Sequence, residues 1–215
     1  MNKNLWVLLL GFIILASACG INSLPSKDPW YAKHYYIMHD YERETYKHLT
    51  PEGKLEFQKL FWEARQPVAK EQFDNRMSYI EKVYKTENHA QPWNTDRGRV
   101  YLLNGPPASI DYKQNTDWVM QAIEGGRITG AQGGMDRTKE DIQANLAEIW
   151  VYPYKSFFVY YVFTFSPPNT WKLNPSTFQN NRYLEQLENM NKDLTFALKD
   201  EEDYKAKLSA LPRKK

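Results

Sequence analysis

The fifteen residues from Trp93 to Pro107, WNTDRGRVYLLNGPP, constrain this chain more than any other stretch. A polar turn of Asn94, Thr95 and Asp96 leads into Arg97-Gly98, a short apolar run follows from Val100 to Leu103, and Asn104-Gly105-Pro106-Pro107 closes it. Glycine tolerates the positive φ that a tight turn needs, and a residue ahead of proline is pushed out of the helical region. Bracketed in this way, the apolar run reads as a buried strand around which the other elements are arranged.

The N-terminus carries a different kind of signal. Lys3 precedes an apolar run from Leu5 to Leu15, and Ala16-Ser17-Ala18 then leads to Cys19, the single cysteine of the 215-residue chain. A basic start, an apolar core and small residues before a cut describe a signal peptide over residues 1–18. The run falls short of the ~20 residues that a membrane-spanning helix needs. Cys19 directly after the cut resembles a bacterial lipobox, which implies an acylated N-terminus; Ala16-Ser17-Ala18 also fits an ordinary cleavage site. Three acyl chains hold a protein on a bilayer where one does not. Residues 19–27 then form a tether broken by Pro25. No aspartate follows Cys19, so the expected location is the outer membrane, facing the periplasm. The formal charge of +2 gives no basic footprint for nucleic acid.

Helix signals dominate residues 28–88. Asp28-Pro29 and Thr50-Pro51-Glu52 each pair a capping side chain with a proline suited to the first helical turn. One helix is expected from Trp30 to His48 and another behind Thr50, with Phe57, Leu60, Phe61 and Ala64 at helical spacing up to Pro67. A third spans about Lys70 to Tyr84, with Phe73, Met77, Ile80 and Tyr84 on one stripe. A buried carboxylate has to be paired or it neutralises. Asp96 is therefore expected to organise its turn through an arginine from these helices, Arg65 or Arg76. His34 and His39 are five apart, not the four that sets two ligands on one helical face, so surface histidines and no metal are expected.

Phe61-Trp62-Glu63-Ala64-Arg65-Gln66-Pro67, Phe73, Arg76, Trp93 through Tyr101, Gly105-Pro106-Pro107 and Glu148-Ile149-Trp150-Val151-Tyr152-Pro153 together resemble the GWxTD domain. The likeness covers roughly residues 35–165, with Trp93, Thr95 and Asp96 as the name-giving core and Arg97, Gly98 and Arg99 behind it. Two positions depart from the family pattern: Pro92 stands where the name has glycine, and Gln66 where an aspartate is usual. The resemblance implies a fold and an exported, often lipid-modified protein rather than a reaction.

Glycines at 125, 126, 130, 133 and 134 mark a long connection from Asp111 to Glu148. It lacks the order of a phosphate-binding P-loop, although Arg127 and Arg137 lend it anion preference. A short helix is expected over Thr138 to Ala147. Glu148 to Tyr152 and Phe157 to Phe165 read as two hairpin strands joined by Pro153-Tyr154-Lys155-Ser156, with a further strand at Thr170 to Leu173. The second lacks polar alternation, so it should be covered on both faces. Behind a Ser176 cap, a helix with Tyr183, Leu187, Met190, Leu194 and Ala197 in register should run to about Leu211, broken at the acidic residues 200–203.

The expected fold is α+β: N-terminal helices packed on a small, mainly antiparallel sheet, with a long C-terminal helix. The α+β domain occupies residues 28–174, followed by the helix and basic tail of residues 175–215. Docking of that helix on its own domain is expected, with self-association as the alternative. Two functional readings stay open. One is a non-enzymatic binding or structural module, anchored to the membrane, without a cofactor, that engages an envelope protein or a glycan. The other is a hydrolase of an envelope polymer using Asp96, Arg97, Arg99 and Glu148 around the Gly-Pro-Pro turn, since paired carboxylates can do acid–base work on glycosidic bonds.

Overall fold

The computed structural model describes residues 28–114, 146–174 and 181–214, with no account of the side chains of Lys113, Gln114 and Asn181. Cys19, the signal segment, residues 115–145 of the glycine-rich connection and the Ser176 cap lie outside the described residues, whereas Leu146 and Ala147, the end of the helix expected over Thr138 to Ala147, belong to a strand instead. The chain falls into two compact units, Met1–Ala32 and Lys33–Lys215. Of the first, the described part begins a helix as Asp28-Pro29 predicts: the Tyr31 amide donates to Asp28 Oδ1 at 3.1 Å.

The elements in order are α1 (Pro29–His34), a 3-10 turn (Tyr35–Ile37), α2 (Asp40–Lys47), α3 (Pro51–Glu63), α4 (Pro67–Val83), a second 3-10 turn (Pro92–Asn94) and α5 (Asp96–Asn104). Then come β1 (Ser109–Gln114), β2 (Leu146–Tyr154), β3 (Phe157–Ser166), β4 (Thr170–Leu173), α6 (Asn181–Thr195) and α7 (Glu201–Ser209). The architecture is α+β, with helices against a four-stranded antiparallel sheet in the order β1-β2-β3-β4.

Local signals explain most boundaries. Thr50 caps α3 by accepting from the Gly53 amide at 3.2 Å. The helix expected over residues 30–48 is instead broken, because Met38 and His39 are extended and a new helix starts behind them. There the His39 amide donates to Glu42 Oε2 at 2.7 Å, half of a capping box. Pro67 both ends α3 and opens α4, since proline suits a first helical turn. The predicted stripe of Phe73, Met77, Ile80 and Tyr84 is buried throughout. His34 corrects the surface reading of the histidines: it is buried, stacked on Phe73 at 4.5 Å between ring centroids and edge-on to Phe61 and Trp62.

The largest correction concerns Val100 to Leu103. This run is not a strand but the second half of α5, and α5 packs on α4, α6, β4 and both 3-10 turns. Four apolar residues are too few to show a period, and the flanking signals are those of a helix. Thr95 is the N-cap and Gly105, at φ +76°, ends the last turn with its amide on Tyr101 O. The first strand lies later, at β1, which runs into the segment read as connection.

Strand alternation sets the sheet's two faces. Trp150, Tyr152, Tyr161 and Phe163 share the face toward α5 and α6, and all are buried. On the opposite face Ala147, Ile149 and Val162 form a second buried cluster. The middle of the hairpin is thus buried on both sides, whereas Phe157, Phe158 and Tyr160 near the turn are exposed. A fully buried side chain of this size contributes about 2–3 kcal/mol. In α6, Leu184 and Leu187 are buried while Tyr183 and Leu194 are exposed, so the expected stripe is rotated and faces α5 and β3. The C-terminal helix is present in two pieces, interrupted before the Asp200 cap of α7.

Candidate functional site

The site is built where the second 3-10 turn enters α5. Thr95 does two jobs with one hydroxyl: it accepts from the Gly98 amide at 3.0 Å and donates to Pro92 O at 2.8 Å. Folding the turn back this tightly leaves no room at residue 98, where a Cβ would lie 2.2 Å from Pro92 O. Trp93 is buried beside it, with its indole Nε1 lacking an acceptor among the described residues. The Trp93-x-Thr95-Asp96 pattern and Gly98 are therefore parts of one helix-start device.

Asp96 ties that device to the sheet. Its Oδ2 accepts from the Leu173 amide of β4 at 2.9 Å, and Arg99 NH2 lies 3.8 Å from Oδ1. Neither predicted partner reaches it. Arg65 is wholly buried with Glu42, and Arg76 donates from NH1 to Leu102 O at 2.7 Å and Leu103 O at 2.9 Å. Arg76 thereby satisfies carbonyls left open at the end of α5, and it sits where a Cβ on Gly105 would meet it at 3.0 Å. Packing of α4 along α5 carries Arg76 to the wrong end of the helix for Asp96. Gly105 O accepts from Tyr152 OH at 2.8 Å, and Pro106-Pro107 lead the chain on toward β1.

Arg97 is the centre of charge. It donates from Nε and NH2 to Glu87 Oε1 at 2.8 and 2.6 Å, and from NH1 to Glu148 Oε2 at 2.7 Å. Glu148 also accepts from the Trp150 indole, and Glu87 Oε2 accepts from the Trp171 amide at 3.0 Å. The rings of Tyr84 and Trp171 lie 4.9 and 4.8 Å from the guanidinium. All three charged side chains are nearly closed off, at 12% exposure for Arg97, 2% for Glu87 and 4% for Glu148. Burial pushes the Glu87 carboxyl above its ordinary range, against the pull of Arg97.

A second polar group lies between α5 and α6. Asn104 donates to Tyr161 OH at 3.1 Å and accepts from Asn191 at 2.8 Å, while Tyr161 OH donates to Leu184 O. Glu188 faces Tyr161 and Arg99, and burial raises its carboxyl.

Of the hydrolase candidates, Arg97 and Glu148 are brought together, but as a closed ion pair; Asp96 and Arg99 form a separate contact. Glu87 and Glu188 were not legible as participants, because isolated glutamates in polar segments carry no spacing signal. Among the described residues no group of three or more His, Cys, Asp or Glu side chains is placed to hold a metal ion. No helix among them is long and apolar enough to cross a membrane. Comparison with models of protein families, with curated proteins and with solved structures finds no match to this chain.

Proposed function

We propose that this chain is a cell-envelope lipoprotein of GWxTD type, acylated at Cys19 and held at the outer membrane facing the periplasm. Its α+β domain acts as a binding or structural module for another envelope protein or a glycan. The motif resemblance and the lipobox-like N-terminus support the compartment. What supports binding over hydrolysis is one observation: the carboxylate best placed for chemistry, Glu148, is consumed together with Glu87 by Arg97 in a nearly closed cluster. A glycosidase acid or base needs a carboxyl group open to its substrate. Here both charges are spent on joining α5 to β2 and to the segment behind α4.

Two measurements test this reading. Mass spectrometry of the mature N-terminus should find Cys19 acylated, and an unmodified terminus would remove the anchor. Incubation of the purified chain with cell-wall sacculi and envelope glycans should release no soluble fragments. Release by the wild type that stops in Glu148→Gln would instead establish the hydrolase. Cross-linking in intact envelopes should then retain a partner on the wild type.

A further inference from the structure

A groove of about 290 Å³ opens beside the helix-start device. Trp93 forms part of its wall, and Lys33, Lys85 and His89 line it with the single acid Glu81. Lys33 pairs with Glu81 at 2.7 Å and holds its ammonium 5.3 Å from the Trp93 ring. Lys85 and His89 are exposed and have no hydrogen-bond or ion-pair partner among the described residues. Trp93 itself is 6% exposed, yet its Nε1–H has no acceptor among the described residues. A buried donor without a partner costs about 1–3 kcal/mol.

The geometry points to a phosphate-binding site in this groove, for a phosphate monoester or diester whose oxygen reaches the Trp93 indole N–H. Three observations converge on that class. The lining has an excess of basic groups, two of them unpaired. Lys85 meets an oxyanion as a point charge and His89 as a single N–H donor, a combination that suits a tetrahedral phosphate. The aromatic wall adds a surface for the ester's carbon portion. Nε1 is shielded, so a ligand has to displace part of the lining to reach it, and the Lys33–Glu81 pair lies against the Trp93 ring. That pair is 39% and 44% exposed, and an exposed ion pair of this kind is worth less than about 1 kcal/mol. Its parting releases Lys33 to the ligand beside Lys85 and His89. The site does not depend on acylation of Cys19 and stands or falls separately from the binding-module reading.

The test uses the full chain in neutral detergent micelles, labelled with 5-fluorotryptophan and followed by fluorine NMR. The Trp93 resonance is the one missing from Trp93→Phe. Inorganic phosphate and glycerol phosphate are titrated at constant ionic strength set with chloride, and phosphatidylglycerol is added to the micelles in a parallel arm. A saturable shift of the Trp93 signal is expected, weakened about tenfold or more in Lys85→Gln/His89→Gln, which alters only exposed side chains. A shift with the soluble phosphates identifies a free ligand; a shift with the lipid alone identifies a headgroup. No shift in either arm overturns the site. So does a shift that the double variant leaves unchanged, since it would then be a general salt effect. If Trp93→Phe does not fold, comparison of the double variant with the wild type still decides, because a phosphate-dependent signal that neither basic residue affects excludes the groove.

Discussion

Arg65 donates through NH2 to both carboxylate oxygens of Glu42, at 2.8 and 2.9 Å, and neither side chain has any exposure. The pair joins α2 to the junction between α3 and α4 and extends to α7, because Tyr204 OH donates to Glu42 Oε1 at 2.8 Å. Arg65 NH1 also bonds Phe61 O at 2.8 Å, and the Phe61 ring lies 3.6 Å from the guanidinium. Backbone pairing of Arg65 with Leu198 holds the same joint from the other side.

Removing one partner leaves a buried charge uncompensated. Arg65→Met should therefore destabilise the chain by about 3–5 kcal/mol. Tyr204→Phe removes one hydrogen bond to that carboxylate and should cost about 1–3 kcal/mol. Urea unfolding of both single variants and the double variant checks this. Additive losses would show that Tyr204 and Arg65 do not share Glu42 in the folded chain.

At the start of α5, Gly98→Ala should cost about 3 kcal/mol, the upper end for overpacking, because its Cβ meets backbone at Pro92 rather than a movable side chain. Thr95→Ala should cost about 1–2 kcal/mol through loss of the cap, with Thr95→Ser close to wild type. Thermal melts of the three variants give the order. A Gly98→Ala protein melting with the wild type would mean that the turn opens freely in solution.

Arg97 neutralises two carboxylates at once, so Arg97→Met should be destabilising by about 3–5 kcal/mol. Combining it with Glu87→Gln and Glu148→Gln removes both stranded charges and should recover much of the loss. Denaturant midpoints of the single and triple variants decide; a triple variant no better than Arg97→Met would shift the role of Arg97 from charge pairing to its stacking on Tyr84 and Trp171.

The cluster also sets a pH dependence. Glu87 has its carboxyl raised by burial above the ordinary 4.5, with Arg97 opposing. Between the unfolded and the folded value, the folded chain binds more protons than the unfolded chain, so this group's contribution to stability falls as pH rises through that window. Relative to Glu87→Gln, the wild type should gain stability as the pH is lowered from neutrality toward 4.5. Unfolding curves of both proteins across this range test the sign. Parallel profiles, or a wild type that loses ground on acidification, would contradict it. Glu188, raised by burial against Arg99, should act in the same direction.

Residues 93–107 were legible as the organising stretch, and α5 does contact more of the surrounding elements than its length suggests. Its type was misread because four apolar residues suit a strand or a helix equally, although Thr95 and Gly105 mark a helix's two ends. The hairpin of β2 and β3 and the starts of α1 and α3 were readable because they depend on neighbours in sequence: β-branched and aromatic runs, a short turn between them, a cap with a proline beside it.

What residue order alone determined here is the set of local choices: where helices start, which runs become strands, and that the class is α+β. Tertiary structure decided which charges meet. Arg65 finds Glu42 and Arg97 finds Glu148, 23 and 51 residues away, while Asp96 takes a backbone amide of β4. The reason is physical: a cap is set by dihedrals within one turn of chain, but a buried ion pair forms only where packing has excluded water from two distant segments at once.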